Sequence, residues 1–444
     1  MCILPSVPWE GTSYFDSLLE SLEAAIGGFP DVRTGTNTTY EIRDAAASAF
    51  SVFYTQSPSF LEHQRTMQRH KGNNNARTIF GVHKIPCDNR IRSLLDPVAP
   101  ETVSSVFHAG FALLQDSGVL RQYRSFNNDL LLLLDATHFY CSTKLSCDSC
   151  SKKQRKDGTI EYSHSAITPV MAVPGSNKVI SLPPEFIRPQ DGSEKQDCEN
   201  AAAKRWLERL AARYAQLGVT VLGDDLYCNQ PICRDLLARG LNFILTCKPS
   251  SHKWLAEWVA AADAVDLQEI SVTKRTGKGH RTYTYRFMNE VPIRDSNDAL
   301  LVNWVELLIT NEAGKVTYRN SFATNHCITA ENAQQIVKAG RCRWKIENEN
   351  NNTLKTKGYH LEHNFGHGKQ YLSNLLLTLN LLAFLFHTVL EYFDSRYRLL
   401  RKTLSRRKTF FHDITALMRY LCFDSWQELL RFMIEGLELP DPGG

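Results

Sequence analysis

Three acidic residues of the sequence stand where a folded chain could bring their carboxylates together. Asp135 follows the unbroken apolar run at 130–134, Asp224 follows the apolar stretch at 219–223, and Glu347 lies in a segment of helical character. Phosphodiester cleavage at neutral pH needs a nucleophilic water and a stabilised leaving oxyanion, and two magnesium ions held by carboxylate oxygens provide both. The trio therefore predicts a site for two divalent metal ions. The alternative is that each residue only caps a turn or a helix.

The segment around Glu347 carries further groups that suit contact with a scissile phosphate. On a regular helix at about 100° per residue, four of them lie within about 80° of Glu347. They are Arg343, Trp344, Asn351 and Lys355. The forked guanidinium of Arg343 suits a phosphate best. The alternative for Arg343 and Lys355 is a surface salt bridge with Glu347 or Glu349.

A second group of residues could hold a different metal. Cys147 and Cys150 form a Cys-x-x-Cys pair, the spacing at which two thiolates reach one zinc ion, and His164 follows. A second pair is absent, so a fourth ligand would come from Cys141, Cys198 or His138. We interpret Cys147, Cys150 and His164 as a candidate structural zinc site. Unliganded loop thiols are the alternative.

The elements that must position the carboxylates follow a recognisable order. From residue 129 the pattern predicts three strands, a helix, a strand, a helix and a strand. The corresponding segments are the run at 130–134, TIEYSHSAITPVMAV, KVISL, KQDCENAAAKRWLERLAARYAQLG, VTVLG, NQPICRDLLARG and NFILT. This is the order of a ribonuclease-H-like fold, with Asp135 and Asp224 at the ends of the first and fourth strands.

The regions that flank this core differ from it in predicted secondary structure. The first 120 residues are predicted to be helical, with Ser57-Pro58 opening a helix, KGNNNAR as a loop and Asp88 as an N-cap. They are interpreted as a DNA-end-binding domain, or alternatively as a packing module. Between 255 and 328 four extended stretches alternate with turns. The predicted division is therefore 1–120 helical, 125–250 first core part, 251–328 β-rich insertion, 329–390 second core part with the Glu helix, and 391–444 helical and basic.

Composition sets wider limits. The chain has 444 residues, 43% of them hydrophobic, and a formal net charge of +4. Basic residues concentrate at 63–93 and 396–408, where phosphate contact and an ordinary solvated face are both open. Twelve scattered cysteines without a compact framework, together with no signal peptide, predict a reduced, cytoplasmic protein. The apolar stretch 371–390 approaches the length of a membrane span, but its polar residues favour a buried helix.

Several phrases of the chain resemble those of insertion-sequence transposases of the DDE type. They are LLLLDAT, VTVLGDDLYC and GRCRWKIENENNNTLK around the three acids, and SPSFLEHQRTMQ, NNNARTIFGVHKIPCDNRIRSLLDP, DGSEKQDCENAAAKRWL and LEHNFGHGKQYLSN elsewhere. The resemblance runs from about residue 50 to 390. It departs from the related signature at Gly340, where a Tyr is usual, and at Lys355, which stands one position late.

The resemblance implies a full set of properties. The fold would be a ribonuclease-H-like core interrupted by a β-rich insertion that lies against the active site. The chain would bind the double-stranded DNA ends of its element and catalyse metal-dependent strand cleavage and strand transfer. It would use two magnesium or manganese ions held by Asp135, Asp224 and Glu347, and it would act as a homodimer or higher homo-oligomer associated with the nucleoid and not with a membrane.

Alternatives remain at the level of residues and of function. Asp225 competes with Asp224, which matches the family phrase Gly-Asp-x-x-Tyr better. Glu349 competes with Glu347 but points about 200° away on a helix. The alternative functions are a ribonuclease-H-like nuclease or resolvase that cuts without joining, and a domesticated DNA-binding protein without catalysis.

Overall fold

The computed structural model describes residues 13–34, 39–189, 195–263, 265–277 and 279–443. The strands, in chain order, are β1 (Leu130–Leu133), β2 (Ala136–Ser142), β3 (Ser151–Gln154), β4 (Ile160–Ile167), β5 (Val170–Ala172), β6 (Ile180–Ser181), β7 (Glu185–Phe186), β8 (Val219–Gly223), β9 (Asn242–Thr246), β10 (Gln268–Thr276), β11 (Gly279–Pro292), β12 (Leu301–Asn311) and β13 (Val316–Thr324).

The α-helices are α1 (Tyr14–Ile26), α2 (Ile42–Tyr54), α3 (Phe60–Met67), α4 (His70–Phe80), α5 (Asp88–Leu95), α6 (Ser104–Asp116), α7 (Lys195–Ala215), α8 (Gln230–Ala238), α9 (Lys253–Ala261), α10 (Ala333–Gly340), α11 (Asn352–Thr356), α12 (Leu372–Phe393), α13 (Ser395–Thr403), α14 (Arg407–Tyr420) and α15 (Trp426–Gly436). The mixed α/β fold predicted from the sequence is confirmed.

A mixed sheet of nine strands forms the centre of the part of the chain that the structure describes. Its order is β10-β11-β12-β13-β9-β8-β1-β5-β6. Strands β1, β8 and β9 run parallel to one another. On the other side of β1, β5 pairs antiparallel with β1, and β6 pairs antiparallel with β5. All four residues of β1 and all five of β8 are buried, as expected for central strands covered on both faces.

The β-rich segment after residue 251 extends this sheet. Its four predicted strands form β10 to β13, and β13 pairs with β9 in antiparallel register, with Phe322 opposite Thr246. The segment also contains the helix α9, whose buried residues are Leu255 and Val259. The insertion therefore shares a hydrogen-bonded sheet with the strands that carry the acidic residues.

A smaller sheet is ordered β2-β4-β3, and its three strands lie between β1 and β5 in the chain, whereas β7, which also pairs with β4, follows β6. The sequence predicted TIEYSHSAITPVMAV as one strand. In the structure its first half is β4, in the small sheet, and its second half is β5, in the main sheet. The break falls at Thr168-Pro169 because proline supplies no N–H for a sheet ladder, and Thr168 N instead donates to Asp135 O at 3.2 Å.

The helices of the two chain ends share one hydrophobic core around α12. The ring of Phe15 lies 4.9 Å from Tyr54 and 5.4 Å from Trp426, and Phe50 lies 4.9 Å from Phe386. The helix α12 is the one helix of the described ranges that is long and apolar enough to cross a membrane, and 94% of its most apolar window is buried inside the protein. The prediction of a buried core helix is confirmed.

Three local predictions in the N-terminal region were wrong. The Asn-rich KGNNNAR segment is helical, in α4, because the buried Asn75 amide donates to Met418 O and Leu421 O, both at 2.8 Å, at the end of α14. Ser59, not Ser57, caps α3. Asp88 is the first residue of α5 rather than its cap.

This shared core predicts a destabilised variant. Trp426→Ala should lower the free energy of unfolding by about 3–5 kcal/mol, since it empties a buried site between Phe15 and Tyr54. Trp258→Ala is the matched control, because Trp258 is 44% exposed, and it should cost less than about 1 kcal/mol. Urea unfolding followed by circular dichroism measures both. Equal stability of the two variants would contradict the packing of α15 into the N-terminal helices.

Candidate functional site

The pairing of β1 with β8 brings Asp135 and Asp224 to one edge of the main sheet. The strands are parallel with Leu133 opposite Leu222, and Leu134 N donates to Leu222 O at 2.9 Å. Each aspartate lies two positions beyond this pair, in the same register. Neighbouring strands are about 4.8 Å apart, so the two side chains leave the sheet as neighbours.

Asp135 stands in a crowded acidic environment. The pKa of its carboxyl is raised to about 7, mainly by burial, with the Arg343 guanidinium lowering it and the carboxylates of Glu199, Glu347 and Asp224 raising it. Asp224 and Glu347 therefore both lie within electrostatic reach of Asp135. Among the described residues, however, their oxygens do not form a set that all lie within 4.8 Å of each other.

The segment that carries Glu347 is not a regular helix. A 3-10 turn at Arg341–Arg343 is followed by a π-helical turn at Ile346–Asn351 and then by α11. Arg343 Nη2 lies 2.7 Å from Glu347 Oε1. Lys355 Nζ lies 2.9 Å from Glu362 Oε1. The salt-bridge alternative thus describes Arg343, whereas Lys355 pairs with an acid that was not predicted. The Trp344 side chain is 46% exposed.

The interpretation of Asn351 as a phosphate contact needs correction. Asn351 is only 7% exposed, and Thr168 Oγ1 donates to its Oδ1 at 2.9 Å. The fully buried Asn350 adjoins it, with its amide donating to Asn351 Oδ1 at 3.0 Å. The π-helical turn has a wider hydrogen-bond ring than an α-helix, so spacing at 100° per residue does not hold here. Asn351 fastens the Glu347 segment to the strands instead of facing a groove.

The two aspartates after β8 have different partners. Asp225 Oδ1 accepts from Lys248 N at 2.6 Å and lies 3.3 Å from His252 Nε2. Burial alone would raise the pKa of Asp225, but hydrogen bonds from His252, Ser251 and the backbone of Lys248 outweigh burial and lower it. The Asp224 carboxylate accepts a local bond from Leu226 N at 2.9 Å. Asp225 is thus tied to the loop after β9.

A fourth carboxylate was missed at the sequence level. Glu199, on α7, is 5% exposed, and Tyr227 Oη donates to its Oε1 at 2.8 Å. Tyr227 packs directly over Gly223, where an added Cβ would lie 2.9 Å from the tyrosine ring. Glu199 could have been identified from the sequence, because Glu199 and Tyr227 both lie in phrases that resemble those of the family.

The Cys-x-x-Cys pair does meet further ligands, but the fourth one was not foreseen. The ligand atoms of Cys147, Cys150, His164 and His367 all lie within 4.8 Å of one another. Cys141 is exposed, and the His138 ring bonds to Ser165 Oγ at 2.8 Å. The predicted sources Cys141, Cys198 and His138 therefore do not complete the group. A second, smaller group in the described ranges consists of Cys228, Cys247 and His252.

Two clefts border the Glu347 segment. One, of 1260 Å³, separates it from the C-terminal helices, and its basic lining residues include Lys178, Lys357, Arg401, Arg406, Arg407 and Lys408. Arg407 is neutralised by Glu391 at 3.2 Å, whereas Arg406 and Lys408 are exposed. The other, of 860 Å³, lies between this segment and the insertion, with Lys274, Tyr283, Arg341 and Trp344 among its lining residues.

Comparison with known proteins agrees with the resemblance seen in the sequence. The family model described as transposase DDE domain matches residues 128–385, more than half of the chain. The match spans Asp135, Asp224 and Glu347. No curated protein matches the chain.

The buried asparagine network generates a prediction about stability. Asn350→Ala should lower the free energy of unfolding by about 1–3 kcal/mol, because it leaves the buried Thr168 and Ser181 hydroxyls with fewer partners. Asn348→Ala is the matched control two positions away, on an exposed residue, and should cost no more than about 0.5 kcal/mol. Urea unfolding of the full chain measures both. Indistinguishable variants would mean that the network does not hold the segment.

Proposed function

The chain belongs to the transposase DDE domain family, and from that membership we propose that it binds the DNA ends of its mobile element and catalyses metal-dependent strand cleavage and strand transfer. DNA is the substrate that the family implies. The single observation that carries the proposal is the acidic cluster at the ends of β1 and β8, with Glu347 in reach of Asp135.

The donor set suits divalent cations. Three carboxylates that lie close together in a half-buried place repel one another, and the raised pKa of Asp135 records that repulsion together with burial. A hard divalent cation offsets such repulsion and prefers oxygen ligands. We propose Asp135, Asp224 and Glu347 as the ligands of two magnesium or manganese ions. When bound, these ions activate the attacking water and stabilise the leaving oxyanion.

Two observations favour these three acids over their neighbours. Asp225 is already tied to Lys248 N and to His252, so Asp224 is the better ligand. Glu347 is among the groups that contribute most to the pKa of Asp135, and Glu349 is not. The Arg343–Glu347 pair would open when a cation takes the carboxylate, and the released guanidinium would then be available to a phosphate oxygen.

The remaining candidate DNA contacts take different roles in this proposal. Trp344 offers an exposed ring for stacking or van der Waals contact beside the acidic cluster. Lys355 contacts phosphate in exchange for its pair with Glu362. Asn351 positions the Glu347 segment through Thr168 and makes no direct contact.

The strand order supports the finer assignment of the fold. Strands β6-β5-β1-β8-β9 have the order and directions expected of a ribonuclease-H-like core, with three antiparallel strands followed by two that are parallel to the first. The insertion continues this sheet beyond β9, and the smaller cleft between it and Trp344 supports a role in managing the DNA end.

We propose that the larger cleft leads DNA past the acidic cluster. Four of its basic residues, Arg401, Arg406, Arg407 and Lys408, come from the C-terminal stretch that the sequence singled out, and Thr353 and Lys357 border it from the Glu347 side. A homodimer or higher homo-oligomer, assembled on the DNA ends, and a cytoplasmic location at the nucleoid complete the proposal.

The catalytic assignment is tested with single variants. Asp135→Ala, Asp224→Ala and Glu347→Gln should each lower cleavage of end DNA in magnesium by more than about 100-fold, because even the outer partners of metal ligands cost about 10- to 100-fold. Asp225→Asn and Glu349→Gln are the matched controls and should retain activity within a few-fold. Gel assays of cleavage and of joining to a target plasmid provide the readout. Retained cleavage in two of the first three variants would refute the assignment, and cleavage without joining would indicate a nuclease.

The DNA path is tested by a matched pair of charge reversals. Lys408→Glu, on the cleft wall, should weaken DNA binding and reduce the slope of log K against log salt by about 1, because one phosphate contact is lost. Lys402→Glu lies in the same basic stretch but is exposed outside the cleft, and its slope should stay near that of the unmodified chain. Fluorescence anisotropy over a salt series measures both. Equal slopes for the two variants would show that the DNA does not run through this cleft.

A further inference from the structure

Four potential metal ligands converge beside the middle of β4, in the small sheet. Cys147 Sγ lies 3.8 Å from Cys150 Sγ and 3.5 Å from His164 Nε2. Cys150 Sγ lies 3.4 Å from His164 Nε2 and 3.2 Å from His367 Nε2. The two histidine Nε2 atoms are 3.2 Å apart. The sixth pair, Cys147 with His367, lies within 4.8 Å.

These separations are those of a tetrahedron around one zinc ion. With Zn–S of about 2.3 Å and Zn–N of about 2.0–2.1 Å, the ligand atoms of a regular tetrahedron lie about 3.8 Å (S–S), about 3.6 Å (S–N) and about 3.3 Å (N–N) apart. The five distances given above follow this order, with the longest (3.8 Å) between the two sulfurs and the other four, from 3.2 to 3.5 Å, each involving a nitrogen. Four atoms held only by mutual hydrogen bonds would have no reason to take all these spacings at once.

We infer that Cys147, Cys150, His164 and His367 bind one structural zinc ion. Two thiolates and two neutral imidazoles balance the charge of the cation, and the two thiol protons pass to solvent when it binds. All four positions are filled by protein groups, so no place is left for water or substrate. This closed arrangement distinguishes a structural zinc from a catalytic one.

The backbone presents the two cysteines together. They lie in the turn between β2 and β3, where Cys150 N donates to Cys147 O at 3.1 Å. Cys147 N points at Cys150 Sγ at 3.4 Å, and an N–H donor favours the thiolate form of a sulfur ligand. His164 stands opposite Tyr140 in the pairing of β2 with β4.

The loop of His367 is held in place by an independent contact. The carboxylate of Asp96, at the end of α5, accepts from Lys369 N at 2.9 Å and from Gln370 N at 3.0 Å. Gly368 has a φ of +70°, and a Cβ there would lie 2.2 Å from Asp96 Oδ1. Only glycine fits this close approach without strain, and the resulting turn presents His367 to the cysteines.

The zinc ion would therefore join three parts of the chain. The small sheet follows Asp135 directly, the His367 loop follows the Glu347 segment, and Asp96 attaches that loop to the N-terminal helices. Cys150 and His367 are 217 positions apart, so the ion closes a long loop and restricts the unfolded chain. It acts as a brace and takes no part in the proposed strand cleavage.

Metal analysis of the full chain, purified without chelator, tests the inference. The unmodified protein should contain about one zinc per chain, and His367→Ala and Cys150→Ser should each contain less than about 0.1. His363→Ala and Cys141→Ser are the matched controls, because both side chains are exposed and outside the group, and they should retain a full equivalent. Replacement of zinc by cobalt(II) should give the intense visible bands of a tetrahedral site with thiolate ligands.

Two outcomes would overturn the inference. One is folded, unmodified protein that contains no zinc and takes up none when the ion is titrated in against a colorimetric indicator. The other is His367→Ala protein that keeps a full equivalent, since the ion would then be held elsewhere. If a variant does not fold, removal of the ion from the unmodified chain with a chelator decides the matter. Zinc added back should restore the stoichiometry and raise the melting temperature, and failure of this restoration would also count against the site.

Discussion

The proximity of like charges at the ends of β1 and β8 is the constraint around which the described structure is arranged. Parallel pairing with Leu133 opposite Leu222 places Asp135 and Asp224 side by side, and burial together with Glu199 and Glu347 raises the pKa of Asp135 to about 7. Such an arrangement costs folding free energy unless positive charge is supplied. Arg343 supplies part of it in this structure, and divalent cations would supply more.

Buried polar contacts keep the acidic groups in place despite their repulsion. Asn350 and Asn351 fasten the π-helical turn that carries Glu347 to Thr168, immediately before β5. Tyr227 donates to Glu199 and packs on Gly223, so the residues just before and after Asp224 are fixed as well. A π-helical turn interrupts the usual helix ladder and is often retained at functional sites. Here it presents Glu347 outward while two asparagines of the same turn point inward.

The sequence was informative where local patterns determine the structure, and it failed where distant contacts do. The apolar runs that end at Asp135 and Asp224 predicted two central strands because burial on both faces requires such runs. The helical segment KGNNNAR was predicted as a loop because asparagine has a low helix propensity, and only the bonds of Asn75 to the end of α14 compensate. The facing of Asn351 was wrong because a π-helical turn has no signature in side-chain spacing. His367 was missed because no spacing rule connects residues 217 positions apart.

The proposed zinc ion and the acidic cluster are connected through one strand. His164 lies on β4, and four positions later the same chain reaches Thr168, whose hydroxyl donates to Asn351 and whose N–H donates to Asp135 O at 3.2 Å. A shift of β4 would therefore move the support of the Glu347 segment and the backbone at Asp135 together. The small sheet has few strands and several exposed residues in β3, so its own burial provides little rigidity. Because β2 begins and β4 ends beside the acidic cluster, a cross-link at His164, in the middle of β4, stabilises the geometry at that end of both strands without placing any further charge there.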